Sequence, residues 1–91
     1  MPIPQNITRQ HIIQAMKEID VKGVPKANKS RKYDLDSGNQ KYPPKYTVSI
    51  ANDFAGNKEL PVGDFYGGDE ANNFLRERGF GICDKRGRPI T

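Results

Sequence analysis

Apolar residues recur at helical spacing in three stretches of this chain and at alternating spacing in three others, and the two periods predict its elements. In NITRQHIIQAMKEIDVKG, Ile12, Met16 and Ile19 fall on one helical face with Ala15 beside them, while Arg9, Gln10, Gln14, Lys17 and Glu18 fall mostly elsewhere. Thr8 stands where its hydroxyl can accept from a free N–H of the first turn, so the first helix runs from there to about Asp20 and VKGVP ends it. His11 reads as a surface or boundary residue of that helix.

The polar KANKS is loop, and RKYDLDSGNQKYP then alternates: Tyr33 and Leu35 share a face of one strand, Gln40 and Tyr42 a face of its return. DSGN, with residues that tolerate positive φ, turns the hairpin. Pro44 suits a first helical position because its missing N–H would have no partner there. Tyr46, Ile50 and Phe54 follow four apart with Thr47 and Ala51 alongside, and Gly56 stops the second helix. KELPVGDFYGG is turn-rich, with one helical turn around Val62–Phe65. A third helix, capped near Asp69, carries Phe74 and Leu75 inward and ends at Gly79. FGIC alternates Phe80 and Ile82 as a short strand with room beside the hairpin.

The order α-β-β-α-α-β predicts a small α+β fold, a three-stranded antiparallel sheet packed against helices. Its expected core joins Ile12, Met16 and Ile19 to Tyr33, Leu35, Tyr42, Tyr46, Ile50, Phe54, Phe74, Leu75, Phe80 and Ile82. At 91 residues the chain is one domain, read as residues 1–84, with 85–91 as a basic, unpatterned, flexible tail.

Composition narrows the function classes. Cys83 is the sole cysteine and His11 the sole histidine, so neither an internal disulfide nor a zinc site of Cys and His ligands can form. No apolar run approaches a membrane span, and MPIPQNIT lacks the basic start and apolar stretch of a signal peptide, which points to the reducing cytoplasm. Asp34 and Asp36 are two apart on a strand, but no Glu-x-Lys partner motif accompanies them, and acids beside a hairpin turn are ordinarily solvated. GDFYGGDE places glycines before a helix without the Lys-Ser/Thr of a phosphate loop, and its own acids would repel phosphate. Cys83 has no basic partner at a determinate distance. No catalytic set, metal site, cofactor motif or small-molecule substrate emerges, so the chain does not read as an enzyme.

Charge is what remains. Fifteen Lys and Arg against eleven Asp and Glu give a net charge of +4, with a pI near 9.3. From Lys22 to Lys45 there are seven cations against two acids, whereas from Thr47 to Asp84 there are three cations against seven acids. Lys29, Arg31, Lys32, Lys41 and Lys45 interleave with Tyr33, Tyr42 and Tyr46, a mixture that neutralises phosphates while the rings either stack on bases or pack in the core. Lys26, Arg86 and Arg88 extend the candidate footprint.

ITRQHIIQAMKEID, GVPKANKSRKYDLDSGNQKYPPKYTVSIA and LPVGDFYGGDEANNFLRERGF, in that order, resemble the N-terminal head domain of McrA-type restriction endonucleases, multidomain HNH nucleases that cut modified DNA. The likeness runs from about Ile7 to Ile82. Its most specific parts are Ser30–Tyr33, Tyr42–Tyr46, Phe65 with Gly67-Gly68, Asn72, Phe74-Leu75 and Gly79-Phe80. It implies a bacterial or phage origin and a non-catalytic head that contributes DNA contact beside separate reading and cutting domains. The expectation is therefore a double-stranded DNA-binding module of a restriction or phage-defence system. Its basic β-hairpin grips phosphates, and the tip Ser37–Gln40 enters a groove. Two rivals stay open: a protein-interaction module or small phage-encoded inhibitor that binds an acidic or nucleic-acid-bearing partner, and an RNA binder if the tyrosines are exposed.

Overall fold

The structure is a computed structural model that describes residues 3–25, 33–38, 40–57 and 69–89. Three helices and three strands follow in the expected order: α1 (Arg9–Lys22), β1 (Tyr33–Asp36), β2 (Lys41–Tyr42), α2 (Pro44–Phe54), α3 (Asp69–Glu77) and β3 (Gly81–Asp84). The sheet order is β2-β1-β3, antiparallel throughout. The fold is α+β. The expected helical turn at Val62–Phe65 and the Gly67-Gly68 break lie outside the described residues.

Thr8 caps α1 as its sequence requires. Its hydroxyl accepts from the His11 N–H at 3.4 Å and its own N–H donates to His11 Nδ1 at 3.0 Å, a reciprocal pair that satisfies two donors at the helix start. His11 is thus a capping residue. The helix runs two residues past Asp20, to Lys22, and Gly23 closes it at φ 79°, a conformation a Cβ would disfavour. Ile12, Ala15, Met16 and Ile19 are buried, as their spacing predicts.

The face of α2 corrects the sequence reading. The expected stripe is Tyr46–Ile50–Phe54 with Thr47 and Ala51 alongside; Thr47 and Ala51 are indeed buried, together with Pro44, Val48 and Asn52, while Tyr46 and Ile50 are only half-buried against the core. Phe54 is 40% exposed and does not belong to the core. The buried side of α2 carries two polar residues, Thr47 and Asn52. Both have partners. Thr47 Oγ1 donates to the Pro43 carbonyl at 2.8 Å, and Asn52 Oδ1 accepts from Asn57 Nδ2 at 3.0 Å.

Leu35 pairs with Tyr42 on one side and Ile82 on the other, and this row is the sheet's contribution to the core. Phe74, Leu75 and Ala71 close it from α3, while Tyr33 and Phe80 are half-buried at its margin. Ile3 and Ile7, at 1% exposure each, belong to the core although no periodicity marks them. Arg78 explains how that N-terminal segment is held. Its guanidinium donates to the carbonyls of Ile7 at 2.7 Å, Phe74 at 3.2 Å and Gln5 at 3.3 Å, and lies over the Phe74 ring at 3.5 Å.

Candidate nucleic-acid interface

Alternation along the strands puts Asp34 and Asp36 on the sheet face opposite Leu35, with Cys83 and Lys41 as their register partners. Asp34 is buried, at 8% exposure. A carboxylate there needs a counter-charge, and Lys85 Nζ supplies it at 3.2 and 3.3 Å from the two oxygens. Lys85 is therefore committed to the fold. Cys83 is fully buried beside them, and burial pushes its thiol up, which makes it a poor nucleophile at neutral pH. Among the described residues no group of three or more His, Cys, Asp or Glu is placed to hold a metal ion, and no helix is long and apolar enough to cross a membrane.

The hairpin tip is closed on itself. Ser37 N–H donates to the Gln40 carbonyl at 3.1 Å, and the Gly38 N–H donates to Asp36 Oδ1 at 2.9 Å, with Gly38 at φ 97°. Lys41 Nζ stands 3.9 Å from that same carboxylate oxygen, so its charge is partly offset.

The other end carries a second turn, at residues where the sequence predicts an unpatterned, flexible tail. Asp84 Oδ1 accepts from the N–H groups of Arg86 and Arg88, both at 2.9 Å. The Asp84 N–H donates back to the Arg88 carbonyl at 2.9 Å, and Cys83 bridges Pro89. Those backbone donors, Arg88 first, hold the Asp84 carboxyl below the usual carboxylate range. Arg86 and Arg88 are exposed on this turn. Since Asp84 pairs with Tyr33 while Lys41 pairs with Asp36, the turn lies three residues along β1 from Lys41, about 10 Å at strand rise. It thus sits at the end of the sheet where β1 begins.

Of the residues singled out from sequence, Lys41, Lys45, Arg86 and Arg88 are described; Lys26, Lys29, Arg31 and Lys32 lie outside the described residues, as does the GDFYGG glycine loop. Lys45 is half-buried in the first turn of α2. The tyrosines divide. Tyr42 is 5% exposed, and its hydroxyl donates to Asp20 at 2.7 Å, so its ring is a core element; Tyr33 and Tyr46 are half-buried against the core. Arg9 and Arg78, which pattern reading passed over, both serve the fold. Arg9 Nη1 donates to the Arg78 carbonyl at 2.8 Å, and its guanidinium lies 4.5 Å from the Phe80 ring centroid.

No curated protein and no solved structure matches the chain. The family described as ScoMcrA-like, N-terminal head domain, matches residues 5–84, from the segment clamped by Arg78 to the last residue of β3. In ScoMcrA-like proteins the head is a domain separate from the nuclease. With most of its length and every one of its elements inside that match, the chain belongs to the ScoMcrA-like N-terminal head domain family.

Proposed function

We propose that this domain is a non-catalytic double-stranded DNA-binding module of a restriction or phage-defence system, acting in the cytoplasm. The observation that carries the proposal is the pairing of Tyr33 with Asp84. It puts the exposed Arg86–Arg88 turn beside the start of β1, the strand that Arg31 and Lys32 immediately precede in sequence. In this reading those four cations grip phosphates together, and Lys26, Lys29, Lys41 and Lys45 widen the footprint along the hairpin. Phosphate contacts of this kind position a domain on a duplex without reading bases, which suits a head attached to separate reading and cutting domains. Membership of the head-domain family supports the restriction context.

Affinity for duplex DNA, titrated at several salt concentrations, tests the proposal. About four phosphate contacts give a slope of log affinity against log salt of roughly −3 to −4. Undetectable binding at low salt overturns it. Incubation of plasmid DNA with Mg²⁺ or Mn²⁺ tests the non-catalytic part, and nicking abolished by Asp34→Asn would defeat it.

A further inference from the structure

Among the described residues only two large apolar side chains are exposed, Val21 at 85% and Phe54 at 40%. They line the same shallow groove, of about 400 Å³, between the end of α1 and the end of α2, and Gln14, Lys17, Glu18 and Lys22 complete it. Gln14, Lys17, Glu18 and Val21 are spaced three and four apart, so they form one stripe of α1 on the side away from Ile12, Ala15, Met16 and Ile19. Of the described candidate DNA-contacting cations, Lys41, Lys45, Arg86 and Arg88, none lines this groove.

Its charge is one-sided. Glu18 is committed to Lys22, 3.6 Å away, whereas Lys17 has no acidic partner among the described residues. The groove therefore offers an apolar floor under an uncompensated ammonium. We propose that it docks a protein segment of complementary chemistry: an acidic amphipathic helix that seats an apolar side chain between Val21 and Phe54 and sets a carboxylate, one turn away, against Lys17. A second copy of this chain is the wrong occupant, because a two-fold contact would bring Lys17 and its apolar floor against the same cationic rim. Duplex DNA is also wrong, since its phosphate surface gives Val21 and Phe54 nothing to bury. This surface stands independently of the DNA reading. A contact this small binds weakly, with a dissociation constant on the order of 100 µM.

The test titrates the isotopically labelled chain with a short synthetic peptide carrying Leu along one helical face and Glu beside it, and with the same peptide bearing Lys in place of Glu. The acidic peptide is expected to shift amide resonances of Gln14, Lys17, Val21 and Phe54, and the basic peptide to leave them in place. Phe54→Ser should weaken the acidic peptide about tenfold, and Lys17→Glu should abolish the preference for it. Both positions are exposed, so the variants fold, which circular dichroism checks. The proposal is overturned by an acidic peptide that moves none of these resonances, by equal binding of the two peptides, by a dimer in sedimentation that Phe54→Ser dissolves, or by duplex DNA that shifts the same four residues.

Discussion

The Tyr42 hydroxyl donates to the Asp20 carboxylate at 2.7 Å and so ties the sheet's edge strand to the last turns of α1. Burial of the ring, then the bond to Asp20 and its negative charge, push the Tyr42 hydroxyl up to about 12 from its ordinary value of 10.0. The neutral phenol is thus favoured by folding, and the stabilisation is fully present below the unfolded value and lost as pH rises through the folded one. Stability should fall by at most about 3 kcal/mol between about pH 10 and 12 from this group. Urea denaturation of the wild type and of Tyr42→Phe across that range checks it. The variant should lose about 1 kcal/mol at neutral pH and this part of the alkaline decline.

Phe74 and Phe54 should respond very differently to truncation. Phe74 is 2% exposed and stacked by Arg78, so Phe74→Ala should cost about 3 to 5 kcal/mol, enough to threaten a domain this small. Phe54→Ala, on an exposed helix end, should cost under about 1 kcal/mol. Equal losses in chemical denaturation would contradict the assignment of the α2 face.

Arg78→Lys should destabilise despite keeping the charge, by about 2 kcal/mol. An ammonium cannot reach the carbonyls of Gln5, Ile7 and Phe74 while lying over the Phe74 ring. Hydrogen exchange should show the loss first at Ile3–Ile7, the segment the guanidinium clamps, and protection there unchanged in the variant would refute the clamp.

Gly79→Ala meets two obstacles at once. The backbone stands at φ 88°, and a Cβ would lie 2.6 Å from Arg9 Nη1. A loss of about 1 to 2 kcal/mol is expected. In the Arg9→Ala background the cost should shrink to the conformational part, about 1 kcal/mol, because the colliding side chain is gone. Gly38→Ala has positive φ but open space around it, and should resemble that second value.

For DNA binding, Arg86→Ala and Arg88→Ala should each flatten the salt slope by nearly one unit and weaken all duplex sequences alike. Lys17→Ala, in the α1–α2 groove, should leave the slope unchanged. Lys85→Ala separates charge from structure: it strips Asp34 of its ammonium, so its main effect should be lost stability. A slope change at Lys85 equal to that at Arg86 would show that proximity of charge, not a defined turn, governs binding.

Much of the fold was legible because its signals are local. The Thr8 cap, Pro44 at a helix start, Gly23, Gly56 and Gly79 at positive φ, and the Leu35–Tyr42 hairpin depend on residues within one turn or one strand of each other. Helix rotation was not so accessible. In α2 the pattern Tyr46–Ile50–Phe54 with Thr47 and Ala51 alongside spans a broad face, and packing in the folded chain buries its Thr47–Val48–Ala51 side while leaving Phe54 exposed.

The sequence alone therefore determined the order of elements, most of their caps and stop glycines and the polarised charge, since propensities, caps and period act over a few residues. Tertiary structure alone decided which charges serve the fold and which face solvent. Lys85 meets Asp34 across 51 positions, and Arg78 reaches Ile7 across 71 and Gln5 across 73. The Arg86–Arg88 turn lies beside the start of β1 only through β3 pairing. A cation's role depends on its distance to a partner's oxygen, and chain closure, not local pattern, sets that distance.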